Sequence, residues 1–301
     1  MWTSNLAVPA AFAATYLVWG GTYLAVTVAL DSIPPFLLMG SRSIAGGGLL
    51  LVAAWSANRT FDGRTAARAA ACGLLLFVGC HGTLAYAQQR VPSGLAAVLL
   101  ATIPFWLALI GALLPGGRRP EGRQFVMLGL GLTGVALIVM GEGKRAAGAI
   151  GTMDLGLLLA SALSWAVGSV LTERWSPPDQ EIAFSGHALL SGGLVLVAMS
   201  IGFGELGRFD ISQVSGIGVG AWLYLTLAGT ILAFVSYIWL LKRVPAPLAA
   251  TYTFVNPVIA LLLGWMVLGE TFGVAMMIGA LLVVVSIGGL LYSRAAAKPA
   301  R

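Results

Sequence analysis

Charge is what this chain has least of. Of its 301 residues only 9% are charged, against 58% hydrophobic, and the mean hydropathy is +0.92. A soluble domain carries roughly a quarter charged residues. A water-facing exterior is therefore excluded, and the sequence reads as a polytopic membrane protein. The formal charge of +6 does not suggest nucleic acid as a partner. Most basic residues sit in short loops, where they set topology, and no basic stripe runs along a helix.

Cysteine and histidine are equally sparse, at two each. Cys72 and Cys80 are eight residues apart in one predicted span, roughly 12 Å by helical rise, too far for a disulfide. They read as small buried hydrophobes. No basic n-region precedes the first apolar run, so that run is expected to remain as a helix. Catalytic clusters are missing as well. There is no HExxH, no gathering of His and carboxylates for a metal, no pair of buried Asp residues, and no base on the helix of Ser161, Ser164 and Ser169. Neither an enzyme nor a cofactor or metal is expected.

What is present is a series of hydrocarbon-length apolar runs. A bilayer core of roughly 30 Å needs about 20 apolar residues per helix. On that ruler ten spans are expected, at 7–29, 34–55, 66–87, 94–114, 123–141, 152–174, 181–203, 215–241, 247–268 and 272–292. With the N-terminus inside, twelve Lys and Arg fall on the inner side and four outside (Arg90, Lys144, Arg145, Arg208), with Arg42 inside a span. The positive-inside rule then places both termini in the cytoplasm.

Two stretches are near-copies. Arg90-Val91-Pro92, Leu95-Ala96-Ala97 and Pro104 reappear as Arg243-Val244-Pro245, Leu248-Ala249-Ala250 and Pro257, at a constant offset of 153. Further echoes are Trp19 with Trp165, Gly47-Gly48-Leu49 with Gly192-Gly193-Leu194, and Arg42 with His187. Duplication inside a membrane protein is the mark of a transporter built from repeats, with its site near the bilayer midplane. The expected architecture is all-α: two five-helix repeats, 1–145 and 146–293, with 294–301 as a cytoplasmic tail. Five is odd, so the second repeat would be inverted and a central cavity would lie between the two.

Ionisable groups at depth are functional candidates. All eleven carboxylates fall in loops or within about a turn of a span end, which removes the usual buried proton relay. Arg42, His81 and His187 remain. Arg42 suits a substrate carboxylate or, structurally, the carbonyls of a helix end; His187 reads as a packed neutral imidazole. His81 shares a face with Gln88, seven residues on. On the first span Tyr16, Trp19 and Tyr23 form a one-sided stripe; on the sixth, Ser161, Trp165, Ser169 and Thr172 do the same. Such stripes line an apolar cavity or simply pack. Tyr86, Tyr252 and Asn256 complete the candidate substrate-binding set of Trp19, Tyr23, Arg42, His81, Trp165 and Ser169. Pro104 and Pro257, read as mid-helix kinks, are candidate gating hinges.

Trp19-Gly20-Gly21-Thr22-Tyr23, Arg42, the two RVP-to-proline blocks and Leu268-Gly269-Glu270 together resemble the drug/metabolite transporter superfamily in its EamA branch. The likeness covers essentially the whole chain. Within that branch it is similar to the YddG-type bacterial exporters of aromatic and other amino acids. The resemblance implies a bundle around a central cavity that exports amino acids or related metabolites across the bacterial inner membrane. One departure is Pro120, which stands where the second repeat has Glu270; capping of the tenth helix is then the simpler role for that Glu. The implied partners are a small-molecule substrate and membrane lipid, and oligomeric state is left open, a monomer being plausible. A phosphorylated-metabolite or nucleotide-sugar antiporter would want several cavity cations; a lipid flippase or scramblase would suit an uncharged one.

Overall fold

The computed structural model describes residues 6–57, 62–91, 96, 99–114, 121–142, 151–256, 258–259 and 273–296. Among the described residues the helices that frame the site are, in order, α1 (Ala7–Leu30), α2 (Pro35–Ser56), α3 (Gly63–Gln88), α4 (Ile103–Leu113), α5 (Gly122–Glu142), α6 (Thr152–Trp175), α7 (Glu181–Gly202), α8 (Gly216–Leu241), α9 (Ala246–Ala249) and α10 (Val274–Ala296), with a further single turn at Glu205–Arg208 between α7 and α8. Six of them, α1, α2, α3, α6, α7 and α8, are long and apolar enough to cross a membrane. No strand occurs among the described residues. Large apolar side chains cover the outside: Leu17, Val52, Trp55 and Leu113 are all exposed. In water such a surface would aggregate; against acyl chains it is the stable one.

The helix ends follow local chemistry. Pro35 sits in the first turn of α2, where its missing N–H breaks no bond. The Asp62 carboxylate accepts from the Thr65 amide at 3.0 Å to start α3, and the Ser215 hydroxyl accepts from Gly218 at 3.0 Å to start α8. α7 stops at Gly204, whose φ of +69° is the left-handed conformation that ends a helix. Its neighbour Glu205, 4% exposed, accepts from the amides of Phe36 at 3.3 Å and Leu37 at 3.0 Å. A carboxylate from the α7–α8 connection thus caps the N-terminus of α2 from the other half of the chain.

Small residues set the helix crossings. α2 and α7 run antiparallel, with Gly40 against Gly193 and Gly47 against Gly186. A Cβ on Gly40 would lie 3.1 Å from the Gly193 carbonyl, and one on Gly47 would lie 2.9 Å from that of Gly186. α5 and α10 cross the same way through Gly131, Gly134 and Gly279, and the Ser286 hydroxyl donates to the Met127 carbonyl at 2.6 Å. Such close approach is how helices associate where lipid removes the hydrophobic drive.

Two features were not legible as sequence. α3 is a π-helix over Leu74–Gly82, and α8 is one over Leu225–Ala233. The wider turn frees backbone carbonyls, and side chains from neighbouring helices take them. Ser161 and Ser164 of α6 donate to the carbonyls of Cys80 (3.0 Å) and Leu75 (2.9 Å), and Trp19 of α1 donates to that of Gly229 at 3.0 Å. The second feature concerns the fourth and ninth expected spans. Residues 101–102 form a turn before α4, and a turn at 250–251 follows α9. Pro104 therefore stands in the first turn of α4 and not in mid-helix; the interruption precedes the ring, where a proline costs no hydrogen bond. Pro257 lies outside the described residues.

Candidate functional site

The long helices enclose a cavity of about 60 Å³. By the measure of about 10–15 Å³ per water it holds four to six waters, whereas benzene needs about 150 Å³. The site is contracted, and any aromatic solute requires the helices to part.

Its wall is aromatic. Trp19 packs against Tyr252 at a ring-centroid distance of 4.3 Å, against Tyr237 at 5.4 Å and, edge-on, against Trp165 at 5.8 Å. The His81 ring stacks on Trp165 at 5.1 Å with an interplanar angle of 27°. Phe77 and Phe234 close the cluster at 5.0 Å. Edge-to-face pairs of this kind hold ring positions more firmly than area alone would. The π segments supply part of the lining directly: Phe77, Cys80 and His81 from α3, Gly229 and Thr230 from α8.

One charge faces this wall. Arg42, 5% exposed, donates from Nη2 to His81 Nδ1 at 3.1 Å. A guanidinium is always protonated, so Nδ1 must be the acceptor, and His81 is therefore the neutral tautomer with its proton on Nε2. The Arg42 Nε is buried without a hydrogen-bond partner. No carboxylate is among the described lining residues, and the two ion pairs among the described residues, Arg90–Asp154 and Arg243–Glu181, lie elsewhere. Other lining atoms are equally unpaired: both amide atoms of Gln88, the Asn256 Oδ1 and the Trp165 Nε1. Buried polar groups without partners are uncommon. Five such atoms border this one cavity, and seven more lie elsewhere among the described residues.

Of the candidates read from the sequence, Trp19, Tyr23, Arg42, His81, Trp165, Tyr252 and Asn256 all line the cavity. Two candidates do not. Tyr86 stacks on Phe36 at 5.8 Å, beneath the Arg90 guanidinium at 4.5 Å. Gln88 lines the cavity instead, and residues two apart on a helix point to opposite sides. Ser169 is fully buried behind the wall, where it donates to the Trp165 carbonyl at 2.8 Å and accepts from the Tyr237 hydroxyl at 2.8 Å. Tyr16 is tied to Thr251 at 2.6 Å. Tyr237, Phe77 and Phe234 went unread: Phe77 stands alone among aliphatic neighbours, and Phe234 and Tyr237 share a run with Trp239 in which nothing singles out one face.

Two stretches, 6–140 and 153–292, each match the EamA-like transporter family. The chain belongs to that family. Among its relatives, the inner membrane transporter YedA of Escherichia coli (strain K12) is 34% identical over 261 residues, 86% of this chain and 82% of YedA. The transporter YoaV of Bacillus subtilis (strain 168) is 27% identical over 273 residues, 89% and 90% of the two chains. A solved structure 20% identical superposes with a TM-score of 0.78 over 98% of this chain and all of its own, which shows a shared fold. The EamA-family protein described here is thus a multi-pass membrane protein of transporter type.

Proposed function

We propose that this EamA-family protein is an inner-membrane exporter of amino acids, aromatic ones included, and of related small metabolites, working by alternating access. The transport unit is two inverted five-helix repeats, 1–145 and 146–293, ten spans in all, with both termini in the cytoplasm. The substrate enters the cavity between Trp19, Trp165 and Tyr252, and its carboxylate meets Arg42. The antiparallel crossing of α2 and α7 supports the inverted arrangement. The interruptions at 101–102 and 250–251, which lie within about one helical turn of each other when the repeats are aligned at offset 153, are the hinge points.

The observation that carries this reading is the buried Arg42 guanidinium, bonded to neutral His81 but with its Nε free and no carboxylate among the described lining residues, facing an aromatic wall. A buried charge without a counterion is strongly destabilising, and a carboxylate on an apolar body relieves it. The test is uptake of labelled phenylalanine into proteoliposomes against a panel of unlabelled competitors, with and without a pH gradient. Saturable uptake that aromatic amino acids inhibit is expected, persisting without the gradient because no carboxylate relay lies at depth. Fluorescent-lipid equilibration in the absence of solute uptake would assign a scramblase instead.

A further inference from the structure

The charge balance of the cavity ranks substrates within that reading. Every element around it contributes neutral groups except α2. α1 gives Trp19, Thr22 and Tyr23; α3 gives His81, neutral because it accepts from Arg42, and Gln88; α6 gives Trp165; α8 gives Thr230 and Phe234; the segment after α9 gives Tyr252 and Asn256. The next carboxylate along α6, Glu173, is eight residues from Trp165, about 12 Å away by helical rise. There Lys242 and Arg174 act on its charge, and the Lys242 ammonium also donates to the Glu173 backbone carbonyl. The described cavity therefore carries one positive charge, with unpaired donors on Arg42 Nε, Trp165 Nε1 and Gln88 Nε2.

We propose that the preferred substrate class is the monoanion: one carboxylate on an aromatic or apolar body with no ammonium group, such as a 2-oxo acid or an N-acylated amino acid. This rests on the cavity being the transport site and goes one step past it. A monoanion cancels the Arg42 charge, and its two oxygens can take up the guanidinium Nε and a neighbouring N–H together. A zwitterion cancels the same charge but brings a second cation. That ammonium meets only neutral groups there, aromatic faces, hydroxyls such as those of Thr22 and Thr230, and the amide oxygens of Gln88 and Asn256, and the occluded complex stays charged. A monocation doubles the charge. The preference runs monoanion, then zwitterion, then cation.

The test holds the phenyl ring constant and varies charge. Phenylpyruvate and N-acetylphenylalanine are the monoanions, phenylalanine the zwitterion and phenethylamine the cation, each measured for transport into proteoliposomes and for binding by quenching of intrinsic tryptophan fluorescence. Both monoanions are expected to bind and move about tenfold better than phenylalanine or more, given the worth of a hydrogen bond to a charged group. Phenethylamine should not compete. Arg42→Gln should reduce monoanion transport about tenfold and shrink the gap between the two classes, with Arg42→Lys keeping part of it. The series on the unaltered protein needs no variant, so a poorly folding Arg42→Gln does not blunt it. Phenylalanine equal to or better than phenylpyruvate would overturn the monoanion ranking and leave the transport site standing. A well-folded protein that binds and moves none of the four would overturn both.

Discussion

Trp19 and Trp165 hold corresponding places in the two halves, yet the structure uses them differently. The Trp19 indole donates to the Gly229 carbonyl at 3.0 Å, a carbonyl freed by the π segment of α8. Trp165 faces the matching π segment of α3, but there Ser161 and Ser164 of its own helix have taken the free carbonyls of Cys80 and Leu75. Its Nε1 is buried and makes no well-aligned hydrogen bond, with the Tyr237 hydroxyl the acceptor within its reach. One half spends its tryptophan on holding two helices together; the other keeps it as part of the cavity wall. A pseudo-symmetric frame with an asymmetric lining is what a binding site for an asymmetric solute requires.

The frame itself offers the largest effect. Gly47→Ala would place its Cβ 2.7 Å from the Leu190 backbone nitrogen and 2.9 Å from the Gly186 carbonyl, and backbone cannot step aside. A loss of about 2–3 kcal/mol is expected, exceeding the gain of about 1 kcal/mol that alanine brings to a helix. Its counterpart Gly186→Ala would meet chiefly the Leu51 side chain, at 2.9 Å, which can turn away. That variant should be near neutral, the propensity gain offsetting the shift. Thermal unfolding of both proteins in detergent, followed by tryptophan fluorescence, measures the difference. Equal melting points would mean that the crossing is not held by these glycines.

The tryptophans come next. Trp19→Phe and Trp165→Phe delete the same atoms from the same aromatic cluster, so the volume lost is shared and the difference between them isolates the bond. Trp19→Phe strands a buried carbonyl and should be the less stable by about 1–3 kcal/mol. Trp165→Phe gives up only a poorly aligned approach to the Tyr237 hydroxyl, and its effect should fall mainly on substrate affinity, weakened several-fold as expected for a lost neutral donor. Chemical unfolding curves beside binding titrations separate the two. If both variants lose stability equally and affinity equally, the two halves are functionally alike and the asymmetry described here has no consequence.

Much of this site was readable because a duplication brings its own control. Trp19 was singled out by Trp165, and Arg42 and His81 by their depth in a chain that keeps its carboxylates out of the membrane. The π segments were not readable. They change backbone register without requiring any particular side chain, and Leu74–Gly82 has no more unusual composition than its neighbours. Tyr86 was misplaced because its aromatic character suits a cavity while its phase along α3 does not; the face belongs to Gln88. Ser169 shared the correct face with Trp165, but periodicity does not reveal that Tyr237 covers it. Pro104 was read as a kink, and only the backbone shows that the helix begins beside it.

The smallest effect compares the repeated arginines. Arg90 and Arg243 each lie over an aromatic ring four residues back, Tyr86 at 4.5 Å and Trp239 at 3.9 Å. Their acids are held differently. The Asp154 carboxylate accepts from Arg90 Nη2 at 2.7 Å and from its Nε at 3.1 and 3.3 Å, a forked geometry, whereas Arg243 Nη1 approaches Glu181 Oε1 at the longer distance of 3.4 Å. Both arginines are over a third exposed, at 44% and 34% of the side chain, so water and salt screen both pairs. Double-mutant cycles with Arg90→Gln and Asp154→Asn should give a small coupling at low salt, larger than that for Arg243→Gln and Glu181→Gln. At about 1 M salt, where the screening length falls to about 3 Å, the two couplings should converge toward zero. A larger coupling for Arg243–Glu181 would mean that the ring beneath the guanidinium, closer there, governs these pairs more than the fork does.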